Sequence, residues 1–274
     1  MSKHTFTFKY HETDFFGQYW NAQLSKGIVL IVHGLGEHLG RFEYPMKRLT
    51  ENNFDVIAFD HFGHGRTTGK RGHNPGYEHV LKSINLAIGK AKEFLGTEKP
   101  IFLYGHSMGG NAVINYSLSN SNDLKGVIAT SPFLRLAFQP PKWKLFLGKI
   151  IKNIAPSITL GNEVNHSFIS RDKDEVKKYS NDKLVHSKVS PNFSLVFMEK
   201  GEWAISNASS LSIPMLLLHG TDDQLIDYKG TQAFSDRTEK ADLILYDKGY
   251  HELHNDLCKE EMMNDVIEWL KRNM

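Results

Sequence analysis

The sequence predicts an α/β protein with a mostly parallel central sheet, helices on both faces and a helical insertion. Three observations indicate this fold class. Short apolar runs rich in β-branched residues alternate with stretches that repeat apolar residues at helical spacing, a pattern typical of parallel strands buried between helices. Most of these runs end in Gly, His, Asp or Ser. One stretch, residues 132–199, has no strong buried strand and is rich in proline and charge.

The composition restricts the class of protein. The chain has 274 residues, of which 40% are hydrophobic and 23% charged, and its net charge is +2. This suits one large or two smaller globular domains. A nearly balanced charge gives no basic footprint for nucleic acid, so we expect no nucleic-acid partner. The single cysteine, Cys258, allows no disulfide within the chain.

The N-terminal stretch MSKHTFTFKYHETDFF lacks the apolar core of a signal peptide, and no apolar run reaches the length of a transmembrane segment. We therefore expect a cytoplasmic protein without a transmembrane segment. Peripheral contact with a membrane surface stays open at this point.

The predicted elements follow in chain order. Residues 3–10 and 15–21 alternate or carry aromatic residues on either side of HETD and predict an antiparallel hairpin. The stretches Tyr77–Leu95 and Lys259–Arg272 repeat apolar residues on one helical face and predict helices. Six apolar runs predict buried strands: KGIVLIVHG, NFDVIAFD, KPIFLYG, LKGVIATSP, IPMLLLHG and ADLILYDKG.

Residues 132–199 interrupt this alternation. An unstructured loop of such length is implausible in a compact domain, so we expect a small helical cap between two core strands. The predicted organisation is a core of residues 1–131 and 200–274 with a cap, or lid, of residues 132–199.

The residues that could carry chemistry follow the strands. In open parallel sheets a ligand binds beyond the carboxyl ends of the strands. Five loops at that edge are rich in Gly, His, Asp and Ser: HGLGEH, DHFGHGRTTGKRGH, GHSMGG, HGTDDQ and DKGYHELH. Their convergence predicts an active site.

In YGHSMGG, Ser107 lies between a predicted strand and a predicted helix. A sharp strand-to-helix turn between small residues, here Gly105 and Gly109, exposes a serine as a nucleophile. The hydroxyl also needs a positioned base. The alternative is a serine that only caps the helix, but the order Ser, Asp, His along the chain favours the nucleophile.

The candidate base is His251 in KGYHELH, which follows the last predicted strand, and His254 is its rival. The acid that orients such a histidine is expected after LLLHG. Asp222, Asp223 and Asp227 are the candidates there, and Asp223 is favoured.

Acyl transfer also needs hydrogen-bond donors for the developing oxyanion. The turn that carries the nucleophile supplies the N–H of Met108, and the loop at HGLG supplies that of Leu35. This chemistry requires neither a metal nor a cofactor.

Together, HGLGEHLGRFE, FDHFGHGRTTGKRGH, GHSMGG, HGTDDQL and GYHELHND resemble the monoacylglycerol lipases of the serine α/β-hydrolase superfamily, whose bacterial and yeast relatives are often labelled lysophospholipases. The resemblance covers about residues 25–273. It implies the α/β-hydrolase fold with a cap and a triad of Ser107, Asp223 and His251. It also implies that the amides of Leu35 and Met108 bind the oxyanion.

The resemblance further implies that Glu37, Arg41 and His254 line a small polar pocket for a glycerol head group. A diol needs donors and acceptors held together, and these three side chains supply both. The alternative is that Glu37 and Arg41 form a structural ion pair at the start of a helix.

The insertion contains QPPKWKLFLGKIIKNIAP, whose apolar residues fall within one helical arc, while its lysines lie mostly around the other side. A basic amphipathic helix can lie on a membrane interface. The alternative is a cap helix whose apolar face covers the site. Both hold if the cap walls an acyl tunnel while its rim touches lipid. The residues predicted to contact the membrane are Trp143, Phe146 and Ile150.

The leading functional hypothesis is a serine hydrolase that cleaves monoacylglycerols to glycerol and fatty acid through an acyl-enzyme on Ser107. A lysophospholipase and a general carboxylesterase use the same triad and stay open as alternatives. A catalytically silent lipid-binding protein of the same fold is disfavoured, because all three triad positions are filled.

Overall fold

The computed structural model describes residues 2–120, 123–162 and 164–274. Within these ranges the chain forms one eight-stranded sheet, a two-stranded sheet and eight α-helices. The strands are β1 (Ser2–Tyr10), β2 (Thr13–Asn21), β3 (Gly27–Val32), β4 (Phe54–Phe59), β5 (Ile101–His106), β6 (Gly126–Thr130), β7 (Leu160–Gly161), β8 (Lys188–Val189), β9 (Met215–Gly220) and β10 (Ala241–Tyr246). The helices are α1 (Glu43–Glu51), α2 (Tyr77–Leu95), α3 (Met108–Ser119), α4 (Lys142–Ile154), α5 (Lys173–Asn181), α6 (Pro191–Ser206), α7 (Tyr228–Ser235) and α8 (Lys259–Arg272).

The large sheet has the strand order β1-β2-β4-β3-β5-β6-β9-β10. Strands β1 and β2 form the predicted antiparallel hairpin, which joins the sheet through β4. The pairings from β4 to β10 are all parallel. The predicted mostly parallel sheet is therefore confirmed, and all six apolar runs form strands whose carboxyl ends meet at one edge. The expected burial is wrong for the sixth run: in β10 only Tyr246 is buried, because an edge strand has a neighbouring strand on one side only.

Strand β3 explains why the central strands read as continuous apolar runs. Its residues alternate between the two cores of the molecule: Leu30 packs into one and Ile31 into the other, and both are buried. A strand covered on both faces has no solvated side on which a polar residue would be favoured.

Helices cover both faces, as predicted. Helix α2 buries Val80, Ile84 and Ala87 in one core, whereas α8 buries Met262 and Val266 in the other. Both helices begin and end at the predicted residues. Among the described helices, none combines the length and the apolar character that crossing a bilayer requires.

The insertion is helical. Between residues 132 and 199 the chain forms α4, α5 and the first part of α6, together with the antiparallel pair β7 and β8. The predicted boundary at residue 199 falls inside α6, whose Phe193, Phe197 and Ala204 all pack into the core. Helix α6 thus joins the predicted cap to the predicted core, and the division into two parts stays a prediction.

Backbone hydrogen bonds fix the C-terminal part of the insertion to loops of the core. The N–H of His186 donates to the carbonyl of Gly36 at 2.9 Å, and the N–H of Ser190 donates to that of Gly72 at 2.8 Å. In contrast, α4 has no buried residue. The C-terminal part of the insertion is therefore hydrogen-bonded to the core, whereas α4, near its N-terminal end, is exposed to solvent.

The junction of β5 and α3, at the carboxyl edge of the sheet, is tightly packed. A Cβ on Gly105 would lie 2.5 Å from the carbonyl oxygen of Gly109, and a Cβ on Gly109 would overlap the carbonyl oxygen of Val32. Side chains at these positions would push the helix away from the sheet. The two glycines are therefore required by packing.

We predict that Gly109→Ala lowers the free energy of unfolding by about 1–3 kcal/mol, because the added methyl group overpacks a site that is enclosed by backbone atoms. The matched control is Gly89→Ala in α2, where an added Cβ meets nothing within 4 Å. There alanine improves helix propensity and should raise stability by up to about 1 kcal/mol. Urea unfolding of both variants measures the difference, and equal stabilities would contradict the packing argument.

Candidate active site

Ser107 lies between β5 and α3 in a strained backbone conformation, with φ of 52° and ψ of −113°. Such a conformation persists where the surroundings hold it. The N–H of Ser107 donates to the carbonyl of Thr130, and its own carbonyl accepts from the N–H groups of Asn111 and Phe133. Its hydroxyl makes no capping hydrogen bond to α3. The helix-cap alternative is therefore not what this side chain does, and it lines a cavity instead.

The structure brings Asp223 and His251 together. Asp223 Oδ2 accepts a hydrogen bond from His251 Nδ1 at 2.7 Å. The neighbouring Asp222 is exposed, and Asp227 caps α7 by accepting from the N–H of Lys229 at 3.0 Å. Of the three carboxylates considered from the sequence, Asp223 is the one that contacts the candidate base.

The carboxylate of Asp223 is buried and surrounded by donors. Oδ1 accepts from the N–H groups of Leu225 and Ile226 at 2.9 and 3.0 Å, and Oδ2 accepts from His219 Nε2 at 3.1 Å as well as from His251. Burial alone would raise the pKa of Asp223, but the charge of His251 and the hydrogen bonds from both imidazoles outweigh it and hold the pKa well below its ordinary value. Asp223 is therefore an anion inside the protein.

This anion determines the state of His251. Because Asp223 accepts from Nδ1, that nitrogen carries a proton and the neutral ring leaves Nε2 free as a base. Burial alone would lower the pKa of His251, but the charge and the hydrogen bond of Asp223 outweigh it and raise the pKa. His251 also lines the cavity that Ser107 lines. A serine hydroxyl, an imidazole with a free Nε2 and a buried carboxylate are the groups that nucleophilic attack with proton transfer requires, so these three residues form a candidate triad.

The loop that carries His251 is held from the insertion. The N–H of Glu252 donates to the carbonyl of Ile169 at 2.7 Å. The buried carboxylate of Asp256 accepts from the N–H of Tyr250 at 2.9 Å and forms an ion pair with Arg171 at 2.9 Å. These contacts fix the position of His251 from both of its sequence neighbours.

His254, the rival base, has a different environment. It is fully buried and stacks on Phe42 with ring centroids 4.4 Å apart. Neither ring nitrogen has a hydrogen-bond partner among the residues that the structure describes. Burial lowers the pKa of His254 to about 3, so the ring is neutral. No carboxylate orients it as Asp223 orients His251.

The loop after β3 contains the predicted oxyanion donor, Leu35, and its peptide plane is fixed by His33, which the sequence analysis did not single out. His33 Nε2 accepts from the N–H of His61 at 2.9 Å, so the proton of the neutral ring is on Nδ1, which donates to the carbonyl of Gly34 at 2.7 Å. In a trans peptide the N–H points opposite to the carbonyl. The N–H of Leu35 therefore points away from His33, in a loop where Gly34 lies against Ser107.

The second predicted donor, Met108, is the first residue of α3. The first N–H groups of a helix have no partner within the helix. The N–H of Met108 is therefore available to donate a hydrogen bond to an anion next to Ser107.

Glu37 faces the cavity and has one free oxygen. Its Oε1 accepts from the N–H of Gly34 at 2.5 Å, and Oε2 has no hydrogen-bond partner within the described part of the chain. Burial, and then the negative charge of Glu252, raise the pKa of Glu37 well above its ordinary value. A carboxyl group in this state can donate as well as accept hydrogen bonds.

The Glu37–Arg41 ion pair considered from the sequence is replaced by another. Arg41 is buried and directs its guanidinium at Glu252, 2.7 Å away, with Glu175 at 3.7 Å. The guanidinium also lies over the ring of Tyr179, 5.3 Å from its centroid. The glutamate that the fold supplies is far along the chain, so local spacing could not identify it.

Of the three residues predicted to line a head-group pocket, Glu37 alone borders the cavity; Arg41 and His254 lie behind its wall. Tyr179 and Glu252 border it as well. Tyr179 could not be predicted from the sequence, where its one signal is an isolated aromatic residue in a charged stretch.

The cavity has a volume of about 620 Å³, a size typical of small-molecule sites. Its lining consists mostly of apolar side chains from the insertion, together with polar groups that include Ser107, His251 and Glu37. Within the described residues, no three His, Cys, Asp or Glu side chains are placed to hold a metal ion. The wall residues from α4 and α6 include Trp143, Leu147, Ile151, Leu195 and Met198.

Comparison with known proteins identifies relatives over most of the chain. A family model described as serine aminopeptidase, S33, matches residues 23–258. The monoglyceride lipase of Rattus norvegicus is 30% identical over 92% of this chain and 84% of its own length. An uncharacterized abhydrolase domain-containing protein of Dictyostelium discoideum is 38% identical over 90% of this chain, which spans only 26% of that protein.

The fold has a close counterpart among solved structures. The monoacylglycerol lipase of Paleococcus ferrophilus is 32% identical to this chain, with a TM-score of 0.88, over 95% of this chain and 99% of that one. The family and the fold class predicted from the sequence are confirmed.

Proposed function

We propose that this chain, which belongs to the serine aminopeptidase S33 family of α/β-hydrolases, hydrolyses monoacylglycerols to glycerol and a free fatty acid. Two of its relatives, from Rattus norvegicus and Paleococcus ferrophilus, bear the names monoglyceride lipase and monoacylglycerol lipase. The observation that carries the proposal is the cavity: a space of about 620 Å³ with a mostly apolar lining that also includes Ser107, His251 and a buried polar group, Glu37. An acyl chain would lie along the apolar lining, the ester beside Ser107 and His251, and a small polyol beside Glu37.

In the proposed mechanism, His251 Nε2 takes the proton of the Ser107 hydroxyl as its oxygen attacks the ester carbonyl. Asp223 stabilises the imidazolium that forms and stays ionised itself. His251 then gives the proton to the departing glycerol oxygen, which leaves an acyl group on Ser107. Water, deprotonated by the same histidine, hydrolyses this acyl-enzyme.

The N–H groups of Leu35 and Met108 stabilise the negative charge that develops on the carbonyl oxygen. The hydrogen bond from His33 to the carbonyl of Gly34 supports this assignment, since it fixes the orientation of the Leu35 amide before substrate binds. Preorganised donors of this kind need no rearrangement during the reaction.

The glycerol hydroxyls would meet Glu37 and Tyr179 at the polar end of the cavity. Arg41 and His254, predicted to line the pocket, act from behind: Arg41 holds Glu252 and lies over the ring of Tyr179. Glu37, Tyr179 and Glu252 are buried, so a larger charged head group would have to be desolvated beside them, which favours glycerol.

We also propose that α4 docks peripherally on a lipid surface. Trp143, Phe146 and Ile150 are 64%, 68% and 39% exposed. The helix carries four lysines and no acidic residue, which suits an anionic surface. Trp143 also lines the cavity, so a docked α4 would place its mouth at the lipid.

We predict that Ser107→Ala lowers kcat for ester hydrolysis by a factor on the order of 10⁶, because the nucleophile is lost, while the unfolding transition is kept. Ser119→Ala, an exposed serine on the same helix, is the matched control and should behave as wild type. A fluorophosphonate probe should label wild type and Ser119→Ala but not Ser107→Ala. Retained turnover in Ser107→Ala would refute the nucleophile.

A substrate panel tests the head-group assignment. We expect kcat/KM to be higher for long-chain monoacylglycerols than for lysophosphatidylcholine or a triacylglycerol, because a large head group would have to be desolvated beside the buried side chains Glu37, Tyr179 and Glu252. Tyr179→Phe removes one hydroxyl without changing shape and should lower kcat/KM for monoacylglycerol about tenfold, while a short aryl ester serves as the control. Preferred turnover of lysophosphatidylcholine would favour the lysophospholipase alternative instead.

For the docking surface, we predict that replacing Trp143 and Phe146 together by serine weakens partitioning onto anionic phosphatidylglycerol vesicles at least about tenfold, because two apolar side chains leave the interface. Hydrolysis of a short soluble ester should be spared. Leu24→Ser is the control, since Leu24 is 73% exposed but precedes β3 at the opposite edge of the sheet. Unchanged sedimentation with vesicles would reject the docking role.

A further inference from the structure

His219, the histidine near the carboxyl end of β9, contacts Asp223, the carboxylate that the proposed mechanism uses. It is fully buried, and its Nε2 lies 3.1 Å from Asp223 Oδ2 and 3.3 Å from the carbonyl oxygen of Ile226. Its other nitrogen, Nδ1, lies 2.8 Å from the hydroxyl of Thr231 in α7. The sequence motif HGTDD contains His219, but the mechanism above gives it no role.

The contacts of His219 fix its tautomer. Both atoms near Nε2 are acceptors, a carboxylate oxygen and a carbonyl oxygen, so Nε2 carries a proton. With the proton on Nε2, Nδ1 is the nitrogen that can accept from the hydroxyl of Thr231. His219 is therefore a donor to Asp223, and Thr231 favours the tautomer that donates.

Asp223 Oδ2 thus accepts from two imidazoles, that of the fully buried His219 and that of His251, which lines the cavity. Oδ1 is occupied by the N–H groups of Leu225 and Ile226. A carboxylate has about four lone-pair positions, and here four donors meet them. The carboxylate cannot rotate without breaking hydrogen bonds, and its charge is divided among its donors.

We propose that His219 is a positioning residue of the acid: its Nε2–H holds Asp223 Oδ2 against His251 and takes up part of the negative charge that His251 would otherwise experience. The inference rests on the proposed triad and deepens it. His219 touches neither the substrate nor Ser107; it acts through Asp223.

The division of charge has a direction. Without the donor from His219, the full charge of Asp223 acts on His251 and raises the pKa of His251 further. Because the base must be neutral to accept the proton of Ser107, activity is lost as pH falls through this pKa. Removal of His219 therefore moves the acidic limb of the kcat/KM profile to higher pH.

Other groups that face His251 stay the same in such a variant. The negative charge of Glu252 raises the pKa of His251. The rings of His106 and His254 are buried, and burial lowers the pKa of each, so both are neutral in the range where His251 titrates. The titratable and charged groups around His251 are Asp223, His219, Glu252, His106 and His254.

The test compares His219→Leu, which lacks a donor, with His219→Gln, whose amide nitrogen reaches the place of Nε2. We expect the acidic limb of kcat/KM for a soluble ester to move up by about one pH unit in His219→Leu, the scale of ordinary pKa perturbations in proteins. In His219→Gln it should stay near that of wild type. An unmoved limb in His219→Leu, or equal shifts in both variants, would overturn the inference.

Thr231→Val is the matched control, because it removes a hydrogen bond from the same buried pocket but leaves the donor to Asp223. It should lower stability without moving the limb; a shift as large as that of His219→Leu would assign the effect to disturbed packing. Should His219→Leu fail to fold, His219→Asn replaces it, since its amide is too short to reach Asp223 and the limb should move as predicted for leucine.

An NMR titration of the His251 ring in the same variants needs no substrate. It should show the pKa of His251 raised in His219→Leu and restored in His219→Gln. Absent ester hydrolysis with this pattern intact would count against the proposed function alone, whereas an unchanged pKa in an active enzyme would count against His219 alone.

Discussion

The candidate site depends on one buried anion. A carboxylate inside a protein is stable only where donors replace the water it has lost, and Asp223 receives two backbone amides and two imidazoles. These bonds order the turn after β9 and bring the last loop of the sheet to it through His251. Because β9 and β10 pair in parallel, both loops leave the sheet at the same edge as the loop that carries Ser107. The topology supplies the proximity, and the anion supplies the orientation.

A second buried carboxylate holds the same loop from the other side. Asp256 accepts from the N–H of Tyr250 and pairs with the side chain of Arg171, so the insertion positions His251, the candidate base, and also lines the cavity. The insertion also contacts the loop after β3, where His186 donates to Gly36. The elements that surround the cavity are thus connected to the loops on both sides of Ser107.

Much of this arrangement could be predicted from sequence, because its signals are local. The spacing of apolar residues predicted α2 and α8 with their ends, and the two glycines around Ser107 predicted the crossing of β5 and α3 that the structure contains. Contacts between distant residues left no such signal. Arg41 has Glu37 four residues before it, yet pairs with Glu252; Tyr179 approaches the cavity only because α5 folds onto the core. His219 was visible in HGTDD, but its hydrogen bond to Asp223 depends on how the turn closes.

Helix α4 packs mainly on α6, and none of its residues is buried. The loops that hold Ser107, Asp223 and His251 take their hydrogen bonds from elsewhere in the chain. We therefore expect the sequence of α4 to diverge faster than that of the loops that hold Ser107, Asp223 and His251. Residues 142–154 are free to drift toward new lipid surfaces or new acyl chains, whereas a change in the buried polar network would be removed by selection. Among descendants of such a chain, the mouth should diversify while the chemistry stays constant.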